Sequence, residues 1–143
     1  ESPAGGLLVK PPRERARTVA ELGLVDLSAS TSGDSERSRN VGSPRIGHIL
    51  DPRTGEPAPD CGSVTVVAPS ALIADILSTA FFVLGPERAL ALPETLRGEG
   101  VENEALFLVE RGAALDAVAS PGMSRLVIST DPNTVRGLPA RHP

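Results

Sequence analysis

Aromatic side chains are scarce in this sequence, which has three Phe, no Trp and no Tyr, or 2% aromatic residues. Because 40% of the chain is hydrophobic, a core has to be built mainly from aliphatic residues. The scarcity argues against nucleic-acid modules that stack bases on aromatic rings. With a formal net charge of -4, the chain also lacks the excess of basic residues that is typical of a nucleic-acid binder. We therefore expect no nucleic-acid partner.

Cysteine is equally scarce. Cys61 is the single Cys in 143 residues, which excludes an internal disulfide and any metal site built from several cysteines. The sequence contains no run of 18 apolar residues and no signal peptide, so it assigns no compartment. The chain begins with Glu1 rather than Met, and we expect either a removed start or a piece of a longer protein.

The hydrophobic pattern predicts a series of short elements. Residues 23–31 alternate apolar and polar side chains, as a half-buried strand does, and residues 63–68 read as a covered, Val-rich strand. A helix is predicted from an N-cap at Ser70 to Gly85, and Pro86 starts a second short helix that ends at Leu92, before Pro93. Three further strands are predicted over residues 105–112, 115–120 and 124–130.

This order predicts an α+β domain, an antiparallel sheet with helices on one face, spanning residues 20–131. Residues 1–19 are predicted to be an irregular segment, with a short strand at residues 7–9 as the alternative, and we assign residues 1–17 no function. Residues 35–47 are polar and predict a loop or a weak hairpin. Residues 132–143 predict a disordered tail.

The long helix carries the first cluster of candidate functional residues. Its apolar residues at helical spacing predict a buried face formed by Ile73, Ile76, Leu77, Ala80 and Leu84. Asp75, Ser78 and Thr79 would then share the opposite face, with Phe82 one turn further on. A carboxylate followed by hydroxyls three and four residues later is a compact set of hard oxygen ligands, suited to Mg²⁺ held partly by substrate phosphates. The alternative is an ordinary solvated helix face.

Two turns supply the other candidates. Thr31-Ser32-Gly33-Asp34 follows a predicted strand, and such a turn lets backbone N–H groups approach a phosphate or sugar, although it also suits an ordinary strand end. His48 lies three residues before Asp51, which predicts that the imidazole and the carboxylate share a pocket. The alternative for Asp51 is a turn that caps itself through backbone N–H groups.

Three motifs in order resemble those of the ApbE family, the FAD:protein FMN transferases. They are HILDPRTG at residues 48–55, SVTVVAP at residues 63–69 and ADILSTAFFVLG at residues 74–85, and TSGD at residues 31–34 resembles a further family element upstream. The resemblance covers about residues 20–125 and reaches only the C-terminal half of a family member. It implies one half of a duplicated T-fold-like architecture.

The resemblance also implies a function, in which FMN passes from FAD to a Thr or Ser hydroxyl of a target flavoprotein and AMP is released. It implies a catalytic role for His48, and the implied FAD-binding residues are Leu50, Asp51, Thr54, Ser32 and Gly33. The implied Mg²⁺ ligands are Asp75, Ser78 and Thr79. The alternative is a truncated, non-catalytic fragment that only binds flavin or a partner half. Because half of a sheet would expose an edge, we also expect self-association through that edge.

Overall fold

The computed structural model describes residues 5–12, 16–33, 47–112 and 114–138. The two helices in these residues are α1 (Ala71–Ala89) and α2 (Leu92–Gly98), and a 3₁₀ turn covers Pro121–Arg125. The strands are β1 (Gly5–Val9), β2 (Ala20–Leu24), β3 (Ser28–Gly33), β4 (Ser63–Ala68), β5 (Glu104–Arg111), β6 (Ala114–Ala119), β7 (Val127–Thr130) and β8 (Val135–Arg136).

The strands form two sheets. One has three strands in the order β1-β2-β7, and all of its pairs are antiparallel. The other has five strands in the order β3-β4-β5-β6-β8, antiparallel except for the parallel pair of β6 and β8. α1 packs on β3 and β4 at one edge of the five-stranded sheet.

The five-stranded sheet is buried on both faces. Towards the three-stranded sheet, Val67, Leu106 and Leu108 pack in one aliphatic cluster with residues of β2 and β7. Towards the helices, neighbouring positions of the same strands pack in a second cluster that contains Phe81, Phe82 and Phe107. All three Phe of the chain therefore serve the helix side, and every residue of β4 is buried. The prediction of an α+β fold with helices on one face is confirmed, and a second sheet covers the other face.

The strand predicted over residues 23–31 is wrong in its extent. β2 ends at Leu24 and β3 begins at Ser28, because the chain leaves one sheet and enters the other between them. Asp26 has a left-handed φ of 52° at this corner, and Val25, one of the apolar residues of the alternating pattern, is 65% exposed. An alternating pattern continues through such a corner, so the pattern alone does not reveal the change of sheet.

The predicted buried face of α1 is also wrong. The buried residues of the helix are Ala74, Ser78, Phe81, Phe82 and Ala89, whereas Ile76 is 53% exposed. The helix carries apolar residues on nearly every side, so helical spacing does not select the face that packs on the sheet. The predicted break at Gly85 is present, with a φ of 74°, but Pro93 lies in the first turn of α2 instead of interrupting a helix.

Both predicted ends differ from the structure. β1 lies within the segment predicted to be irregular, where the short-strand alternative is the one observed, and β8 lies within the predicted tail. Pairing with β2 and β6 orders these two short strands. The loop or hairpin predicted for residues 35–47 lies outside the described residues apart from Gly47. Among the described residues no single helix is long and apolar enough to cross a membrane; α1 and α2 meet that test only as a pair bent by 110°.

Gly62, immediately before β4, lies in close contact with the neighbouring strand β5 of the five-stranded sheet. It has a φ of 89°, and a Cβ atom there would clash with the backbone carbonyl oxygen of Leu108. Gly100 has a similar φ of 83°, but a Cβ atom added at Gly100 would meet no atom within 4 Å. We expect Gly100→Ala to cost about 1 kcal/mol, from the left-handed backbone alone. Gly62→Ala should cost about 2–4 kcal/mol, because the clash adds to the same backbone strain.

Urea unfolding of the two variants beside the parent chain would measure the difference. Equal losses of unfolding free energy would show that the approach of Gly62 to β5 is not tight.

Candidate functional site

A cleft of about 740 Å³ opens where β1, β3 and the loop before β4 come together. Residues 7–12 form one wall, and Thr31, Ser32 and Gly33 at the end of β3 contribute to another. The loop residues His48, Ile49 and Leu50 line a third side, and the hydroxyl residues Ser63, Thr65 and Thr79 complete the lining. This volume is typical of sites for small molecules and cofactors.

The β1 wall is held in place by the core. Val9 is buried in the aliphatic cluster, and its carbonyl oxygen accepts a 2.9 Å hydrogen bond from the N–H of Val19. The two prolines that follow, Pro11 and Pro12, are buried as well. Leu8 and Lys10, on either side of Val9, are exposed and line the cleft. Sequence reasoning missed this wall, because a short apolar triplet between Gly and Pro residues gave no sign of a site.

Hydroxyl groups connect β3 to the first turns of α1. The Oγ atoms of Ser32 and Ser78 lie 2.9 Å apart, and Ser32 Oγ is also 3.4 Å from Thr79 Oγ1. Ser30 Oγ donates a 3.0 Å hydrogen bond to Asp75 Oδ1. The fully buried Ser78 also donates to the carbonyl oxygen of Asp75, at 3.0 Å. The structure thus brings β3 together with all three residues that were predicted as metal ligands.

The chemistry of these oxygens suits a hard cation only in part. The Asp75 carboxylate and the Thr79 hydroxyl are exposed oxygen donors of the kind that Mg²⁺ takes. Ser78, in contrast, is buried against β3, and its hydroxyl is engaged with Ser32 and with backbone. In the described part of the chain no group of three His, Cys, Asp or Glu residues could hold a metal ion. An ion here would therefore need most of its ligands from substrate phosphates or from water.

The Asp51 turn has the geometry of the self-capping alternative. Its carbonyl oxygen accepts the N–H groups of Thr54, at 3.2 Å, and Gly55, at 2.8 Å. Its carboxylate accepts the backbone N–H of Arg53 at 2.9 Å and the guanidinium of the same residue at 2.6 Å. These hydrogen bonds from Arg53 lower the pKa of Asp51 from 3.8 to about 2. The carboxylate is thereby committed to its own turn, and neither Asp51 nor Thr54 lines the cleft that His48 enters.

A second turn with the same Asp-Pro-x-Thr pattern lies at residues 131–134. Asp131 Oδ1 accepts the N–H of Asn133 at 3.0 Å, and the Asp131 carbonyl oxygen accepts the N–H of Thr134 at 3.0 Å. The pKa of Asp131 is lowered, and the largest cause is a hydrogen bond from the Thr134 hydroxyl. This turn does not line the cleft. The Asp-Pro-x-Thr pattern is therefore a turn-forming device in this chain, whether or not a ligand lies nearby.

The structure gathers five of the predicted site residues around one cleft. They are Ser32, Gly33, His48, Leu50 and Thr79. Ser78 connects to Ser32, and Asp75 to Thr79, through hydroxyl hydrogen bonds, whereas Asp51 and Thr54 shape the adjoining loop. The described residues that line the cleft include hydroxyl residues, His48 and Lys10, which are residue types suited to contact with a small polar molecule.

Comparisons with known proteins identify the family. Residues 7–102 match the sequence profile of the ApbE family, so the match includes the cleft wall at residues 7–12. The FAD:protein FMN transferase of Escherichia coli K12 is 32% identical over 126 residues, which cover 85% of this chain and 34% of that protein. The FAD:protein FMN transferase of Treponema pallidum is 44% identical over 88 residues, covering 61% of this chain and 23% of that protein.

Solved structures agree with this assignment. The crystal structure of the ApbE protein from Thermotoga maritima aligns with a TM-score of 0.73 at 33% identity, covering 87% of this chain and 38% of that one. The flavin transferase ApbE from Vibrio cholerae aligns with a TM-score of 0.66 at 29% identity, covering 85% of this chain and 37% of that one. The chain belongs to the ApbE family. It spans about a third of the length of the curated relatives it matches.

Arg53→Gln tests the Asp51 turn. Without the guanidinium, the pKa of Asp51 should rise from about 2 towards its ordinary 3.8. A carboxyl group whose pKa is lowered by folding stabilises the protein at pH values above its ordinary pKa. This contribution is lost as the pH falls from about 4 towards 2. The variant should therefore lose less stability than the parent chain across that range. Carboxyl NMR titration would report both Asp51 and Asp131, and Asp131 serves as the internal control. An Asp51 midpoint that does not move would show that Arg53 does not hold the carboxylate.

Proposed function

We propose that this chain forms the catalytic portion of an FAD:protein FMN transferase. The observation that carries the proposal is the cleft that gathers Ser32, Gly33, His48, Leu50 and Thr79 from three separate motifs. The names of the relatives support it, since they are called FAD:protein FMN transferases. In the proposed reaction, the oxygen of an acceptor Thr or Ser bonds to the phosphorus of the FMN unit, the bond to the bridging oxygen breaks, and AMP leaves.

The end of β3 and the loop at His48 would bind FAD. Ser32, Gly33 and Leu50 line the cleft, and the lack of a side chain at Gly33 lets the end of β3 lie close to Gly62 and Ser63. Asp51 and Thr54 would act indirectly, because their hydrogen bonds fix the loop that presents His48 and Leu50.

A cation such as Mg²⁺ would be held by Asp75 and Thr79 together with substrate phosphates. When bound, it would neutralise charge on the diphosphate oxygens as the bond breaks. Ser78 would support this arrangement by holding Ser32 in place, at 2.9 Å. Ser30 contributes in the same way, because its hydrogen bond orients the Asp75 carboxylate.

His48 would handle the proton of the acceptor hydroxyl. His48 is exposed and lines the cleft. A neutral imidazole in hydrogen-bond reach of the hydroxyl can take its proton as the new bond to phosphorus forms. In that role His48 stabilises the transition state more than it binds FAD.

A non-catalytic module is the second candidate function. It is favoured by exposed apolar surface on α1, where Leu72 is 68% and Ile76 is 53% exposed. In this alternative the cleft binds flavin, or the surface binds a partner, without transfer. Self-association through an exposed edge such as that of β3 would be a further consequence.

The test of the proposal is a transfer assay with the matched variants Asp75→Asn and Glu87→Gln. Both remove one negative charge from α1, but only Asp75 lies beside the cleft hydroxyls. The chain would be mixed with, or joined to, the part of the Escherichia coli relative that it does not span, and supplied with FAD, Mg²⁺ and an acceptor flavoprotein. We expect Asp75→Asn to lower the transfer rate by at least about 100-fold, since electrostatic stabilisation of this kind has a large effect on the rate, and Glu87→Gln to leave the rate unchanged.

The chain on its own is the further arm of this assay, and we expect it to bind FAD weakly and to transfer no FMN. Transfer at the parent rate in Asp75→Asn would remove the metal role of Asp75. No transfer in any combination, with flavin binding retained, would favour the non-catalytic module.

His48→Asn separates proton handling from binding. Asn keeps a polar group of similar size but cannot take a proton at neutral pH, so we expect a lower rate at saturating FAD with little change in KM for FAD. A rate that matches the parent, with weaker FAD binding, would make His48 a residue that positions the flavin.

A further inference from the structure

The β1 wall of the cleft carries a positive charge that the roles above do not use. Lys10 is the only lysine among the 143 residues, where every other fixed cation of the 14 is an arginine. It lies in the cleft wall, in the part of the chain that the family match includes. Among the described residues lining the cleft, Lys10 alone has a formal charge at pH 7 when histidine is neutral.

The backbone at Lys10 is fixed while its side chain is exposed. The preceding Val9 is anchored in the core and hydrogen-bonded to Val19, and the following Pro11 and Pro12 are buried. Proline has one narrow φ range, so the wall has little freedom to move. An ammonium group on such a base can meet an anion with only the loss of side-chain freedom.

The rest of the lining suits a ligand that is apolar at one end and anionic at another. Leu7, Leu8 and the two prolines offer apolar contact, and the Ser and Thr residues of the lining offer hydroxyl donors. With no carboxylate among the described lining residues, an anion entering the cleft meets donors and a single cation. A lysine ammonium is a compact charge with three donors, and it is a common ligand of phosphates.

We propose that Lys10 binds the diphosphate of the flavin substrate and selects FAD over flavins without phosphate. This inference rests on the proposed function for the identity of the flavin. The positive charge of Lys10 would raise the affinity for bound FAD. During transfer it would also offset the negative charge that develops on the leaving phosphate. Lys10 is thus a substrate-binding residue from a segment in which the sequence showed no site.

The experiment measures binding of FAD, riboflavin and inorganic pyrophosphate to the full chain by calorimetry. Lys10→Gln should weaken FAD and pyrophosphate binding by about 10-fold or more, the usual effect of losing a hydrogen bond to a charged group. Riboflavin binding should stay the same, and Lys10→Arg should restore most of the preference for FAD. Arg111→Gln is the matched control, because it removes one positive charge from a side chain that is 71% exposed and outside the cleft.

A second readout uses the single lysine directly. Acylation of the Lys10 amine, followed by peptide mass spectrometry, should slow when FAD or pyrophosphate is present and should not slow with riboflavin. Unchanged FAD and pyrophosphate affinity in Lys10→Gln, an equal loss for riboflavin, or no binding of pyrophosphate to the parent chain would each overturn the inference. Pyrophosphate binding that depends on Lys10, without binding of either flavin, would leave the diphosphate site standing and contradict the proposed function.

Discussion

The close contact between β3 and the first turns of α1 is the constraint on which the site depends. Ala74 and Ser78 are small, so the helix can lie near the strand, and the Ser32–Ser78 hydrogen bond of 2.9 Å joins them. This contact places the Thr79 hydroxyl beside the end of β3 and lets Ser30 orient the Asp75 carboxylate. A larger apolar residue at position 78 would increase the apolar area that the helix buries, but it would push these oxygens away from the cleft. The polar core of this contact therefore serves the geometry of the site as well as the fold.

The other walls of the cleft follow from the change of sheet after β2. The corner at Asp26 sends the chain from the three-stranded sheet into the five-stranded sheet, and the two sheets then pack through Leu22, Val67 and Leu106. Because β1 pairs with β2, it lies near the end of β3. The cleft lies between β1 and β3. Residues far apart in the sequence meet there because two sheets, not one, make up the domain. The site is thus a consequence of the sheet arrangement, and local motifs supply only its chemistry.

Sequence reasoning succeeded where the signal is local. The strand at Ser63–Ala68, the break at Gly85 and the Asp51 turn each rest on residue type and spacing within a few positions. It failed where the answer depends on contacts between distant segments: the second sheet, the packed face of α1 and the wall at Lys10. The repeat of Asp-Pro-x-Thr at residues 131–134 shows a further limit, because the same pattern forms the same turn away from the cleft. Only its order relative to the other motifs distinguished the turn at Asp51.

The apolar residues on more than one face of α1 explain why its packing was mispredicted. Phe81 and Phe82 are buried against the sheet, yet Leu72 and Ile76 on another face are more than half exposed. A helix that is apolar all round belongs in the interior of a protein, so burial of its second face would add to stability. Asp75 and Thr79 lie on the same exposed stretch of helix. A surface that covered these apolar residues would also lower the water content around the Asp75 and Thr79 oxygens, where interactions between charges become stronger as the local dielectric falls. The stability of the domain and the electrostatics of the site would then depend on the same covering surface.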